Sequence, residues 1–81
     1  MDKGKLSSLQ RQVKSLFKNN QEGNVIEFLV NNEVKGEYTI PQNHYIEIDS
    51  KSPTDWLNGC ICFEVELKGM SNANISLKIR K

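Results

Sequence analysis

SPTDWLNGCICFEVEL, residues 52–67, decides how many strands the chain has. Its first half reads as one short helical turn over 52–58. Ser52 suits an N-cap, Pro53 the first helical position, Asp55 the acidic first turn and Gly59 the stop. The second half alternates. Ile61, Phe63, Val65 and Leu67 fall on one side of an extended chain, with Cys60, Cys62, Glu64 and Glu66 on the other. That period of two predicts a strand over 60–67.

The same period recurs on both sides of this stretch. Ile26, Phe28 and Val30 alternate with Glu27, Leu29 and Asn31, predicting a strand over 25–31. Val34, Gly36, Tyr38 and Ile40 do so against Lys35, Glu37 and Thr39 over 34–40. Asn31-Asn32 between them suits a tight hairpin turn, because asparagine tolerates the positive φ such turns require. Pro41 lacks an amide donor and ends the second strand. Ile46 and Ile48 share a face over 45–49. After the polar Gly69 to Asn74, residues Ile75, Leu77 and Ile79 alternate with Ser76, Lys78 and Arg80 over 75–80.

Before residue 25 the period is helical. Leu6, Leu9, Val13, Leu16 and Phe17 recur at spacings of three and four, predicting an amphipathic helix over 5–19. Ser7 or Ser8 is one candidate start, a helix already running at Lys5 and Leu6 the other, and Asn19, Asn20 and Gly23 supply the stop. Short connections favour antiparallel neighbours. The expected fold is therefore α+β in a single domain, 1–81. An N-terminal helix precedes a five-stranded antiparallel sheet or small barrel-like sandwich.

Composition narrows the function classes. The chain has 81 residues with 26 % charged and 37 % hydrophobic, which fits a globular protein. Its longest apolar run, Cys60 to Phe63, is far short of the ~20 residues of a membrane span. Met1 to Lys5 leads into an amphipathic stretch with no apolar signal region, which predicts a cytoplasmic protein. There the two cysteines stay reduced. Asn (9), Lys (9) and Ile (7) are abundant, a codon bias that points to a low-GC bacterium or its phage.

Residue chemistry gives little sign of catalysis, and no enzyme activity is expected. Cys60, Cys62 and His44 offer three metal ligands where a structural zinc needs four, so neither metal nor cofactor is expected. The carboxylate pairs Glu64/Glu66 and Glu47/Asp49 sit i, i+2 on outward strand faces. The five glycines are scattered singly, without a phosphate-binding loop.

Charge is more informative. The net charge of +1 hides a split, because residues 1–20 hold five Lys/Arg against Asp2 alone, while 21–81 hold six against nine acids. Arg11, Lys14 and Lys18 on the polar helix face, with Trp56 as an aromatic surface or a plug for the barrel end, are the candidate ligand-binding residues. Leu6, Leu9, Val13, Leu16 and Phe17 are the candidate oligomer interface. The sequence thus points to a small non-enzymatic homo-oligomer that binds a partner. An example is a phage inhibitor sequestering a host protein or a small anionic signal. The alternative is a nucleic-acid-binding accessory protein using the basic helix.

Overall fold

Val25–Val30 is the strand on which the rest is built, and we call it β1. In the computed structural model, which describes residues 2–42 and 51–81, it is hydrogen-bonded on both sides. Glu33–Thr39 (β2) returns antiparallel along one edge, and Ile75–Arg80 (β3) lies antiparallel along the other, giving the order β2-β1-β3. The hairpin closes through Asn31 and Asn32, whose φ angles of 52° and 67° are those of a two-residue turn with the strands' own twist. Asn31 also anchors the start of β3. Its N–H donates to the Asn74 carbonyl at 2.8 Å, and its side-chain oxygen accepts from the Asn74 N–H at 3.0 Å.

A bulge between Phe28 and Leu29 changes the face assignments of β2. Phe28 stands opposite Gly36, but Leu29 stands opposite Val34, so Lys35 is the extra residue. Gly36 and Tyr38 stay on the inner face with Ile26 and Phe28. Val34 moves off it and is 41 % exposed. Strand alternation also puts Leu29 on the outer face, where it is nonetheless only 3 % exposed. On that face Arg80 reaches across the sheet, to Glu27 at 3.4 Å and to Glu37 at 2.8 Å.

Helix α1, Lys3–Asn19, starts earlier than Ser7 or Ser8 would have it. Asp2 is the cap, its carboxylate accepting from the Gly4 N–H at 3.0 Å. Leu9, Val13 and Phe17, four residues apart, are the buried stripe.

The strand expected over 60–67 does not exist. Ser52–Ile61 is a helix, α2, and Cys62–Glu66 carries it on as a π-helical turn, with the Leu67 N–H donating to the Cys62 carbonyl at 2.9 Å. The reason is a second period in the same residues. Pro53, Leu57, Ile61 and Val65 recur every four positions, and all four are buried. A strand would have sent Phe63 and Leu67 inward with Ile61 and Val65, but they are 64 % and 69 % exposed. Burying a continuous four-spaced row outweighed the β-propensity of the aromatic and β-branched residues. Gly59 is accordingly inside the helix, and the true stop is Gly69. With φ of 68° it closes a Schellman motif, in which the Gly69 N–H donates to Glu66 at 3.1 Å and the Met70 N–H to Val65 at 2.8 Å.

The architecture is therefore α+β, but with a three-stranded antiparallel sheet, a leading helix and a second helix. It is neither five-stranded nor a barrel. The strand expected over 45–49, and His44 beside it, lie outside the described residues. Both helices cover the inner face, α1 over β1 and β3 and α2 beside β2. Between the layers Leu9, Val13 and Phe17 meet Ile26, Phe28, Val30 and Ile75 from the sheet and Leu57, Ile61 and Val65 from α2. The Gln10 side-chain amide donates across the two helices to the Asn58 side-chain oxygen, Oδ1, at 3.1 Å.

Gly36 makes the approach of α2 to β2 possible. A Cβ there would stand 2.8 Å from the Cys60 sulfur and 3.7 Å from the Trp56 ring. Gly36→Ala is expected to cost about 1–3 kcal/mol by overpacking. Adding Cys60→Ala is expected to return most of that loss. Urea denaturation of the two variants checks this; equal stability of Gly36→Ala and the parent would mean that α2 stands further from the sheet.

Candidate functional site

Where α2 passes over Gly36, a chain of aromatic rings runs from the core to the surface. Phe17 meets Tyr38 at 6.3 Å between ring centroids, and Tyr38 meets Trp56 at 5.4 Å. The Tyr38 hydroxyl shares a 3.0 Å hydrogen bond with the Ser52 hydroxyl at the start of α2. Trp56 is thereby held half-buried at the edge of a cleft of about 360 Å3, with Gly59 and Phe63 among the residues lining it. No heavy atom lies within 4 Å of where a Gly59 Cβ would stand, so the helix surface is open at this point.

The cleft continues into an exposed apolar face. Trp56, Cys60, Phe63 and Leu67 are spaced four, three and four apart, the spacing of one helical stripe. It runs beside the buried row of Pro53, Leu57, Ile61 and Val65, so α2 is apolar on two sides. Phe63 and Leu67 lie on the π-helical stretch or directly after it, and such turns recur at functional positions.

Three charged side chains line the cleft, and two of them are neutralised. Lys35 pairs with Glu33 at 3.1 Å. Glu64 pairs with Lys68 at 2.8 Å, and this hydrogen bond holds its carboxyl below the ordinary range. Asp55 is exposed and makes no ion pair among the described residues. Burial, helped by the charge of Glu64, pushes the Cys60 thiol up to about 11. At neutral pH it is therefore protonated, a small apolar group and a weak nucleophile. Cys62 is exposed, and neither cysteine is in a disulfide. Among the described residues no three His, Cys, Asp or Glu side chains gather as a metal-holding group. Nor is any described helix long and apolar enough to cross a membrane.

The structure separates the residues singled out from the sequence. Trp56 lines the cleft, whereas Arg11, Lys14 and Lys18 are exposed on α1 and do not line it. With Lys3 they span an arc of about 80° on the side of α1 away from the core. None of the four makes an ion pair among the described residues, and α1 holds no acidic residue. The apolar stripe of α1 is occupied within the chain itself. Leu9, Val13 and Phe17 are buried in its core, and Leu6 and Leu16 are half-buried against it. Among the described residues the large hydrophobic side chains left exposed are Val34 on β2 and Phe63 and Leu67 at the end of α2.

Asp55, Phe63 and Leu67 were not singled out as site residues from the sequence. The 56-60-63-67 spacing was the signal that could have found the apolar pair, and reading 60–67 as extended concealed it. Compared with known proteins, the chain matches no family model, no curated protein and no solved structure.

Proposed function

We propose that the protein acts by binding rather than by catalysis, and that the exposed face of α2 is where it engages other proteins. The observation that carries this reading is the joined apolar surface of Trp56, Phe63 and Leu67. Large apolar side chains contiguous with a cleft are typical of interaction surfaces, where aromatic anchors supply much of the affinity. Self-association belongs within the same reading, with the α2 face in place of the α1 stripe.

The test compares the parent with a Phe63→Glu, Leu67→Glu double variant. Both are immobilised and exposed to extract, and each retained protein is then purified and its binding measured again in isolation. Because the two positions are exposed, the thermal melt is expected to change little, while affinity falls at least about tenfold. A purified partner held equally well by both forms would place the function on another face.

A second reading is favoured by the unpaired cations of α1. Lys3, Arg11, Lys14 and Lys18 form a stripe suited to a nucleic acid backbone or another polyanion. Binding that weakens steeply with added salt and is unaffected by the α2 variant would support it.

A further inference from the structure

We infer that the cleft beside Trp56 receives an arginine or lysine side chain presented on an apolar segment of a partner protein. This rests on the docking reading of the α2 face and adds the chemistry of the occupant. Of the cleft's three charges, Lys35 is neutralised by Glu33 and Glu64 by Lys68, leaving Asp55, in the first turn of α2, as the one without an ion-pair partner among the described residues. The residual charge in the cleft is therefore negative. An anionic side chain placed there would be opposed by Asp55, and a neutral one would leave it without a partner.

The cleft wall points the same way. Trp56 and Phe63 both line it, and aromatic rings attract a cation through the ring quadrupole, tryptophan most strongly. A guanidinium suits both features, since it stacks on an aromatic ring and meets a carboxylate with two parallel hydrogen bonds. A volume of about 360 Å3 is near the lower end of ligand cavities (roughly 300–1,000 Å3) and fits one long side chain rather than a whole helix. The remainder of the partner segment then rests on Phe63 and Leu67, which requires apolar residues beside the cation. The chain's own α1 does not offer this combination, because its apolar residues are already packed in the core.

Trp56, the only tryptophan in the chain, reports occupancy directly through its fluorescence. The probes are synthetic amphipathic peptides that share one leucine face and differ only in carrying arginine, glutamine or glutamate beside it. The arginine peptide is expected to shift Trp56 emission and to bind at least about tenfold more tightly than the glutamate peptide. Asp55→Asn, at an exposed position, is expected to bring its affinity to that of the glutamine peptide while circular dichroism stays unchanged. Phe63→Ala is expected to weaken all three. Equal binding of the arginine and glutamate peptides, or an arginine preference that survives Asp55→Asn, would overturn this inference and leave the docking reading standing. Self-association that excludes the peptides and is abolished by Phe63→Glu would also overturn it, giving the face to a second copy. No response of Trp56 to any peptide, with no self-association, would overturn both.

Discussion

Phe17→Ala is expected to destabilise the protein by about 3–5 kcal/mol, the usual loss for truncating a buried phenylalanine. A domain of this size has a net stability of only about 5–15 kcal/mol, so the variant sits near its unfolding threshold. Phe17 is 2 % exposed at the last turn of α1, in the core shared by both helices and the sheet. Its ring also backs Tyr38, which in turn backs Trp56. Removing it leaves a cavity in the core that holds Val13, Ile26, Phe28 and Leu57, and takes away the ring behind Tyr38. The urea midpoint, followed by Trp56 fluorescence, measures the loss. Phe63→Ala is the control: the same change at a 64 % exposed position is expected to stay within about 0.5 kcal/mol. Equal losses at the two positions would contradict the placement of both rings.

The second large effect is expected at Gly59. Gly59→Pro should cost about 3 kcal/mol or more, because proline in a helix interior removes a hydrogen bond and clashes with the preceding turn. Gly59→Ala should instead stabilise by about 0.5–1 kcal/mol, since the position is helical and its Cβ would meet nothing within 4 Å. This opposite pair of signs distinguishes a helix running through residue 59 from a turn that ends there. Thermal melts of the two variants suffice. Tolerance of proline with a loss at alanine would restore a turn at Gly59.

Much of the fold is legible in the chain because one period dominates each segment. Leu9, Val13 and Phe17 have only a helical reading, and Ile75, Leu77 and Ile79 only an extended one. Asn31-Asn32 supplies a turn where two extended runs meet. Residues 52–67 are different, since they contain both periods at once. Ile61 and Val65 belong equally to the two-spaced set with Phe63 and Leu67 and to the four-spaced set with Pro53 and Leu57. Local pattern cannot choose between them, and the available core surface does. Gly59 compounded the ambiguity by standing where a helix stop is expected, ten residues before the glycine that performs that role. The bulge at Lys35 has only the neighbouring Gly36 as its marker in the sequence, and it alone moves Val34 off the inner face.

The candidate site was legible only in part for the same reason. A lone tryptophan in a polar stretch invites attention whatever its secondary structure, and Trp56 does line the cleft. A strand over 60–67 places Phe63 and Leu67 on its inward face, whereas the helix leaves both exposed. The basic face of α1 could be read directly, since the charges of Arg11, Lys14 and Lys18 follow a helix whose apolar side is unambiguous.

The central position of β1 has a consequence for the order in which the protein assembles during synthesis. One of its edges is satisfied at once, because β2 follows after a two-residue turn and the hairpin closes locally. Its other edge waits for β3, whose Ile75 pairs with Val30 only after all of α2 has been made. Until then a growing chain carries an unpaired row of β1 backbone N–H and C=O groups, the kind of edge that pairs with neighbouring chains. The last of these three strands to leave the ribosome is thus the one that protects the first. Speed of translation across residues 40–74 therefore bears on how long that edge stays open to misassembly.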